Sequence, residues 1–337
     1  YEICGRDWSS DVCSSDLTFA LYSESIKHNA KLLYQVPLDV FLQHTESIDV
    51  SRRRIVYLHH SYRCGSTLFS QMFQDLPGWK VVSENQYLLA MLTREVGDVA
   101  SFSQTDLYKK LVVSGIKYHV SQFGDDTSVF IKSTLYDQYA VRVIPDNLPQ
   151  VEIVYAYREP LTSAKSWYHA FYMAASVLEY YFDRLSRDSF DQNPKSSDFR
   201  NIFGLCHPIA LEILRKETMD NFLQWYILLW SITTRMLLED MKSMKKIKCV
   251  KYEKFQEEPE ATIRKLFDHL DIDSSYVSFA LEAAKRDSQA GLFFSHENRR
   301  NNRKWQRTEE EVDKCNRILA MFDLPDLDTD FIMPETL

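Results

Sequence analysis

Residues Ile55 to Thr67 read IVYLHHSYRCGST. An apolar run of alternating β-branched and bulky residues breaks at the turn-prone Ser-Tyr-Arg-Cys-Gly. Beyond the break, STLFSQMF carries Leu68, Met72 and Phe73 at helical spacing. The stretch therefore reads as a strand, a tight loop and the start of a helix. The free backbone N–H groups of such a loop, together with about half a positive charge at the helix N-terminus, make an anion site. Arg63 adds a permanent cation whose planar fork suits two oxygens. The expected ligand is a phosphate-like group.

Outward from this unit, strand signals recur at Ile55–His59, Trp79–Val82, Val129–Lys132, Val151–Tyr157 and Ile247–Val250. Helical patterns separate or follow them: Ser66–Gln74, Asn85–Arg94, Thr105–Val120, Leu135–Ile144, Leu161–Ala175, Met219–Met241, Pro259–Leu270, Ser275–Lys285 and Glu309–Met321. Nearly all-apolar strands alternating with helices predict an α/β fold, a central parallel sheet flanked by helices on both faces. Ligands of such sheets bind beyond the carboxyl ends of the strands. The Arg63 loop lies at one of those ends.

The chain has 337 residues, 45% of them hydrophobic, enough to bury a large core. A formal net charge of −8 argues against a nucleic-acid partner, which needs a basic face. Asp7 to Leu17, DWSSDVCSSDL, looks like the translation of a short-read sequencing adapter. Residues 1–17 are therefore set aside as non-native, and the native N-terminus is expected to be missing. The cysteines outside that segment, Cys64, Cys206, Cys249 and Cys315, show no C-x-x-C spacing. This argues against a zinc site or disulfide framework and for a reducing compartment, so a cytoplasmic location is expected. No run reaches the roughly 18 apolar residues of a membrane span. The nearest, Asn221 to Thr234, is interrupted by Gln224 and Ser231 and reads as a buried core helix. The expected division is a helical or irregular segment at 18–50, one catalytic domain at 51–325 and a tail at 326–337. Within the domain, the polar stretch 183–216 is either a lid or a surface insert.

The loop is close to a Walker A motif, G-x-x-x-x-G-K-[ST], but departs from it. Ser66 replaces the lysine, His60 replaces the first glycine, and the cation has moved upstream to Arg63. A second unit follows. The strand Val151–Tyr157 ends in Tyr157-Arg158-Glu159-Pro160, with Ser166 eight residues after Arg158. The loop and the Arg/Ser pair together resemble the sulfotransferases that use 3′-phosphoadenosine 5′-phosphosulfate (PAPS). That resemblance covers roughly Arg53 to Met321 and implies the P-loop NTPase-like sulfotransferase fold. It implies that Arg63, Cys64, Gly65, Ser66 and Thr67 cradle the 5′-phosphosulfate and that Arg158 and Ser166 hold the 3′-phosphate. Val250-Lys251-Tyr252-Glu253-Lys254-Phe255 is similar to the family's Tyr-Glu-Asp-Leu segment, which makes Tyr252 a nucleotide contact. The basic loop before Trp305 matches the family's closing loop. It offers Arg299, with Arg300 and Arg303 as alternatives, since the Arg-Lys-Gly triplet of the cytosolic members is absent.

Sulfuryl transfer needs a base for the acceptor and charge stabilisation for the leaving phosphate. The cytosolic members' catalytic His is missing after Lys132-Ser133-Thr134. Val81-Val82-Ser83-Glu84 instead resembles the carboxylate-using branches and makes Glu84 the candidate base. The bland alternative is a Glu favoured at a helix start. Lys132, ending a strand at the same sheet edge, is the candidate for stabilising the transferring group; a snorkelling surface lysine is its alternative. His59, His60 and His169 are secondary candidates, each also readable as a packed histidine. Trp167, Tyr168, Phe171 and Tyr172 read as core or as acceptor lining. No metal is implied. The rival functions are an ATP-dependent phosphotransferase of the P-loop class and a non-catalytic nucleotide-binding protein of the same fold. The acceptor stays open among carbohydrate, small molecule and protein side chain, and the oligomeric state is not readable.

Overall fold

The computed structural model describes residues 2–3, 34–83, 102–134, 139–169, 207–216, 219–244, 246–287 and 307–337. Five strands form one parallel sheet: β1 (Ile55–His60), β2 (Trp79–Ser83), β3 (Ser128–Lys132), β4 (Val151–Tyr157) and β5 (Lys248–Lys251). Their order across the sheet is β2-β3-β1-β4-β5. All five expected strands are present, with ends displaced by no more than a residue or so. Outside this sheet, Glu2–Ile3 pairs antiparallel with Tyr34–Gln35.

The helices, in chain order, begin with α1 (Leu38–Glu46), α2 (Ser66–Gln74), α3 (Asp106–Ser121), α4 (Ala140–Asn147) and α5 (160–169). They continue with α6 (Pro208–Lys216), α7 (Phe222–Met241), α8 (Tyr252–Glu257), α9 (Pro259–His269), α10 (Val277–Ala284) and α11 (Glu309–Met321). Successive strand residues face opposite sides, so each strand feeds two cores. Ile55 and Tyr57 pack on one face with residues of α3, α4, α7 and α11. Val56 and Leu58 pack on the other with α2, α9 and α10. This double cover is why the strands read as continuous apolar runs.

Two helices start later than their patterns suggest because the first periodic residues are caps. The Asn221 side chain accepts from the Gln224 N–H at 3.1 Å, so α7 begins at Phe222. Thr105 accepts from the Tyr108 N–H at 3.2 Å in the same way ahead of α3. The helix expected at Ser275–Lys285 opens instead with a 3-10 turn, Ser274–Tyr276. The helix expected at Asn85–Arg94 lies outside the described residues. The end of the polar stretch, α6, is a helix with Ala210 and Ile213 fully buried. The apolar run at Asn221 to Thr234 is indeed core, with Trp225, Tyr226 and Trp230 buried in α7.

Near the end of α7, the buried Asp240 carboxylate accepts from Arg142 Nε at 2.5 Å. Burial pushes its pKa up to about 6, outweighing the pull of the guanidinium. The folded chain therefore holds this proton more tightly than the unfolded chain does. Its contribution to stability is full below about pH 4, the unfolded value, and fades as pH rises through about 6. Urea unfolding of Asp240→Asn is expected to show a flatter pH dependence than the parent across that window. An identical slope in the two proteins would remove Asp240 as its source.

Candidate active site

The order of strands turns at β1: the chain goes out through β2 and β3 on one side and β4 and β5 on the other. Crevices open at such switch points, beyond the carboxyl ends of the strands. The loop after β1 sits in that position. Ser61 N–H donates to the Ala156 carbonyl of β4 at 2.9 Å. The Tyr62 carbonyl accepts from Ser163 Oγ and from the Tyr226 hydroxyl, the latter at 3.3 Å. The Arg63 carbonyl accepts from Arg158 Nη1 at 3.3 Å. With both carbonyls tied back, the trans peptide turns the N–H groups of Arg63 and Cys64 to the opposite side of the loop. Arg63 has a φ of 52°, a left-handed conformation that costs a non-glycine residue about 1–2 kcal/mol. Such strain concentrates at ligand clamps.

Gly65, at φ 83°, leads into α2. A Cβ there would lie 2.6 Å from Tyr252 Cδ2, so the loop packs directly on that ring. The Arg158 guanidinium lies over the same Tyr252 ring, 4.4 Å from its centroid. Arg63 Nε donates to Ser166 Oγ at 3.3 Å. Arg63, Arg158, Ser166, Gly65 and Tyr252 thus form one connected group drawn from four segments of the chain. On the β3 side, Lys132 Nζ donates to Thr67 Oγ1, in the first turn of α2, at 3.1 Å. Lys132 is only 1% exposed, which overturns the snorkelling alternative. Ser66 is buried at the helix start. Cys64 is buried beneath the loop, and burial pushes its thiol up to about 11, so it is protonated at neutral pH.

His59 and His60 both bond the segment after β3. Burial, aided by His60, lowers the His59 pKa to about 3, which keeps the ring neutral. Its Nδ1 lies 3.3 Å from Ser133 Oγ and its ring packs beside Tyr155. His60 sets Nδ1 against the Ser61 carbonyl at 3.0 Å and Nε2 against the Ser133 carbonyl at 3.1 Å. Both rings therefore brace β1 against the end of β3. His169 is the last described residue of α5. Trp167 on that helix is buried against Phe222 and Tyr226, so this part of its aromatic face is core. Phe171 and Tyr172 lie outside the described residues, as do Glu84, Arg299, Arg300 and Arg303. Ser83, the end of β2, pairs in register with Lys132, so that strand delivers the chain to the same sheet edge.

Sequence reasoning passed over Thr162 and Glu253. Arg158 Nε donates to Thr162 Oγ1 at 3.1 Å and lies 3.5 Å from Glu253 Oε1. The signal for Glu253 was its place in the segment singled out for Tyr252, at a strand end; Thr162 gave none. Among the described residues, no group of three or more His, Cys, Asp or Glu is arranged to hold a metal ion. No helix among them is long and apolar enough to cross a membrane.

Comparison with known proteins bears on the same residues. The family model of the sulfotransferase domain matches residues 61–316. No curated protein matches the chain. Among solved structures, the chain is similar to a sulfotransferase from Mycobacterium avium at 12% identity, covering 89% of this chain and 82% of that one, with a TM-score of 0.46. It is also similar to a mouse sulfotransferase complexed with PAP, at 13% identity, 86% and 91% coverage and a TM-score of 0.41. A third is a sulfotransferase from Alicyclobacillus acidocaldarius, at 14% identity, 80% and 94% coverage and a TM-score of 0.40. The family match starts at the first residue after β1 and runs into the final helix α11, through both arginines and Tyr252. The chain belongs to the sulfotransferase family.

Proposed function

We propose that this sulfotransferase moves the sulfuryl group of PAPS to a hydroxyl or amine acceptor by in-line displacement. One observation carries the reading: the two candidate anion grips, the loop after β1 and the Arg158/Ser166 pair, are linked through Arg63 and Ser166 at 3.3 Å. A nucleotide with a single phosphate cluster needs one such grip, whereas a donor with a 5′-phosphosulfate and a 3′-phosphate needs two. The residues fit that donor chemically: a helix start, a loop of outward N–H groups, two guanidinium forks and an aromatic ring.

In this reading the donor supplies an activated sulfuryl group on a phosphate leaving group. Backbone N–H groups from Arg63 through Thr67 and the Arg63 side chain hold the 5′ end. Lys132, buried and aimed at Thr67, offsets the charge that grows on the departing oxygen. Arg158 and Ser166, with Arg299, hold the 3′-phosphate, and Tyr252 packs against the nucleotide. Glu84 takes the acceptor proton as the new bond to sulfur forms and the sulfur–phosphate bridge breaks. The catalytic domain is taken as 51–325, with 183–216 within it as a lid or a surface insert. A cytoplasmic site of action goes with this reading and is supported by the free thiols of Cys64, Cys249 and Cys315.

Adenosine 3′,5′-bisphosphate is the first test. At about 100 times its Kd, a ligand adds about 2.7 kcal/mol of stability, a rise of several degrees in Tm for a domain of this size. No rise at millimolar ligand would overturn the donor assignment. Turnover with ATP and Mg²⁺, and none with PAPS, would favour the phosphotransferase reading instead. Glu84→Gln is expected to keep the Tm shift and lower turnover in a screen of acceptors with ³⁵S-labelled PAPS. Unchanged turnover would move the base to another group.

A further inference from the structure

Three consecutive residues at the end of β5 each grip the dipeptide at the end of β4. Lys251 Nζ pairs with Glu159 Oε1 at 2.8 Å and also with Asp330. The Tyr252 ring supports the Arg158 guanidinium at 4.4 Å. Glu253 takes the rest. Its carboxylate accepts from Thr162 Oγ1 at 2.6 Å and from the Glu159 N–H at 3.3 Å, and it lies 3.5 Å from Arg158 Nε. A relay results: Arg158 Nε–H donates to the Thr162 hydroxyl at 3.1 Å, and that hydroxyl donates to Glu253.

These contacts define the orientation of a flexible side chain. The Nε side of the guanidinium is held by Thr162 and Glu253, Nη1 by the Arg63 carbonyl at 3.3 Å, and one face by Tyr252. Among the described residues, Nη2 donates no hydrogen bond. A carboxylate so near Arg158 also has a cost, because it offsets part of the charge that would attract an anion. Its presence therefore makes sense as alignment rather than attraction.

We propose that Glu253 is a positioning residue that aligns Arg158 for a phosphate. The proposal rests on the reading of Arg158 as a phosphate grip. Glutamine at this position keeps an acceptor oxygen for Thr162 and for the Glu159 N–H, and it removes the charge. Alanine removes both. Glu253→Ala is thus expected to weaken binding of adenosine 3′,5′-bisphosphate at least tenfold, while Glu253→Gln binds as tightly as the parent or more tightly.

Calorimetric titration of the full chain tests this with four variants: Glu253→Ala, Glu253→Gln, Arg158→Ala and the Glu253→Ala/Arg158→Ala double. If Glu253 acts through Arg158, its loss adds no further weakening once Arg158 is gone. Equal weakening by Glu253→Ala in both backgrounds would mean a merely structural role and overturn the proposal. So would Glu253→Gln binding as poorly as Glu253→Ala, which would point to charge instead of alignment. If Arg158→Ala binds as well as the parent, the phosphate-grip reading itself fails, and the proposal fails with it. Melting curves of each variant separate these outcomes from loss of the fold.

Discussion

Lys132→Met is expected to lower turnover about 10²–10³-fold while leaving the melting temperature unchanged or raised. The ammonium is 1% exposed and donates to Thr67 Oγ1 at 3.1 Å, beside the start of α2. Away from water, a fixed cation stabilises developing charge far more than it would in solvent. Removing one such donor from a transition state typically costs about 2.7–4 kcal/mol, hence the size of the effect. Stability should move the other way. A buried ammonium is costly to desolvate, and methionine fills a similar volume with an adaptable apolar chain. Turnover within tenfold of the parent would make Lys132 a structural residue. A fall in Tm that tracks the loss of turnover would mean that folding, not chemistry, had been disturbed.

Gly65→Ala should abolish nucleotide binding, weakening adenosine 3′,5′-bisphosphate by about 100-fold or more, and should also destabilise the fold. Two costs combine. The φ of 83° is strained for any residue with a side chain, at about 1–2 kcal/mol. The new Cβ would also sit 2.6 Å from Tyr252 Cδ2. That ring cannot yield without leaving its place under Arg158, 4.4 Å away. Tyr252→Ala in the same chain relieves the collision but not the φ strain. The Gly65→Ala/Tyr252→Ala double should therefore melt at a higher temperature than the sum of the two single losses predicts. Strict additivity would show that the ring contact is not what makes glycine necessary here.

What could be read in advance follows from how local each feature is. The unit from β1 to α2 was legible because an apolar strand, a turn with glycine and a helix repeat are neighbours in the chain. Arg158 and Ser166 were legible as a pattern at fixed spacing. Lys132 was read as a candidate, but its burial was not, because it depends on β1 and β2 flanking β3. His59 and His60 read as secondary candidates or packed histidines; their partners, Ser133 just past β3 and Tyr155 on β4, come from other segments. The role of Glu253 was not legible for the same reason, since Thr162 lies 91 positions away from it. The tail after α11 read as an appendage. Yet Glu335 and Leu337 bond the backbone of Cys249 on β5 at 3.0 Å each, and Tyr157 bonds Thr336 at 3.0 Å.

That tail gives the sheet a protected border. Without it, β5 would offer a row of unpaired backbone groups to a second molecule, the usual route to edge-to-edge aggregation. The protection depends on a long-range closure: Lys248 meets Glu335 across 87 positions of chain. Whenever that segment is undocked, the border is exposed. Losses of soluble protein on expression are therefore expected to fall hardest on variants that slow or loosen this closure, such as Lys248→Glu, even though they lie far from the chemistry.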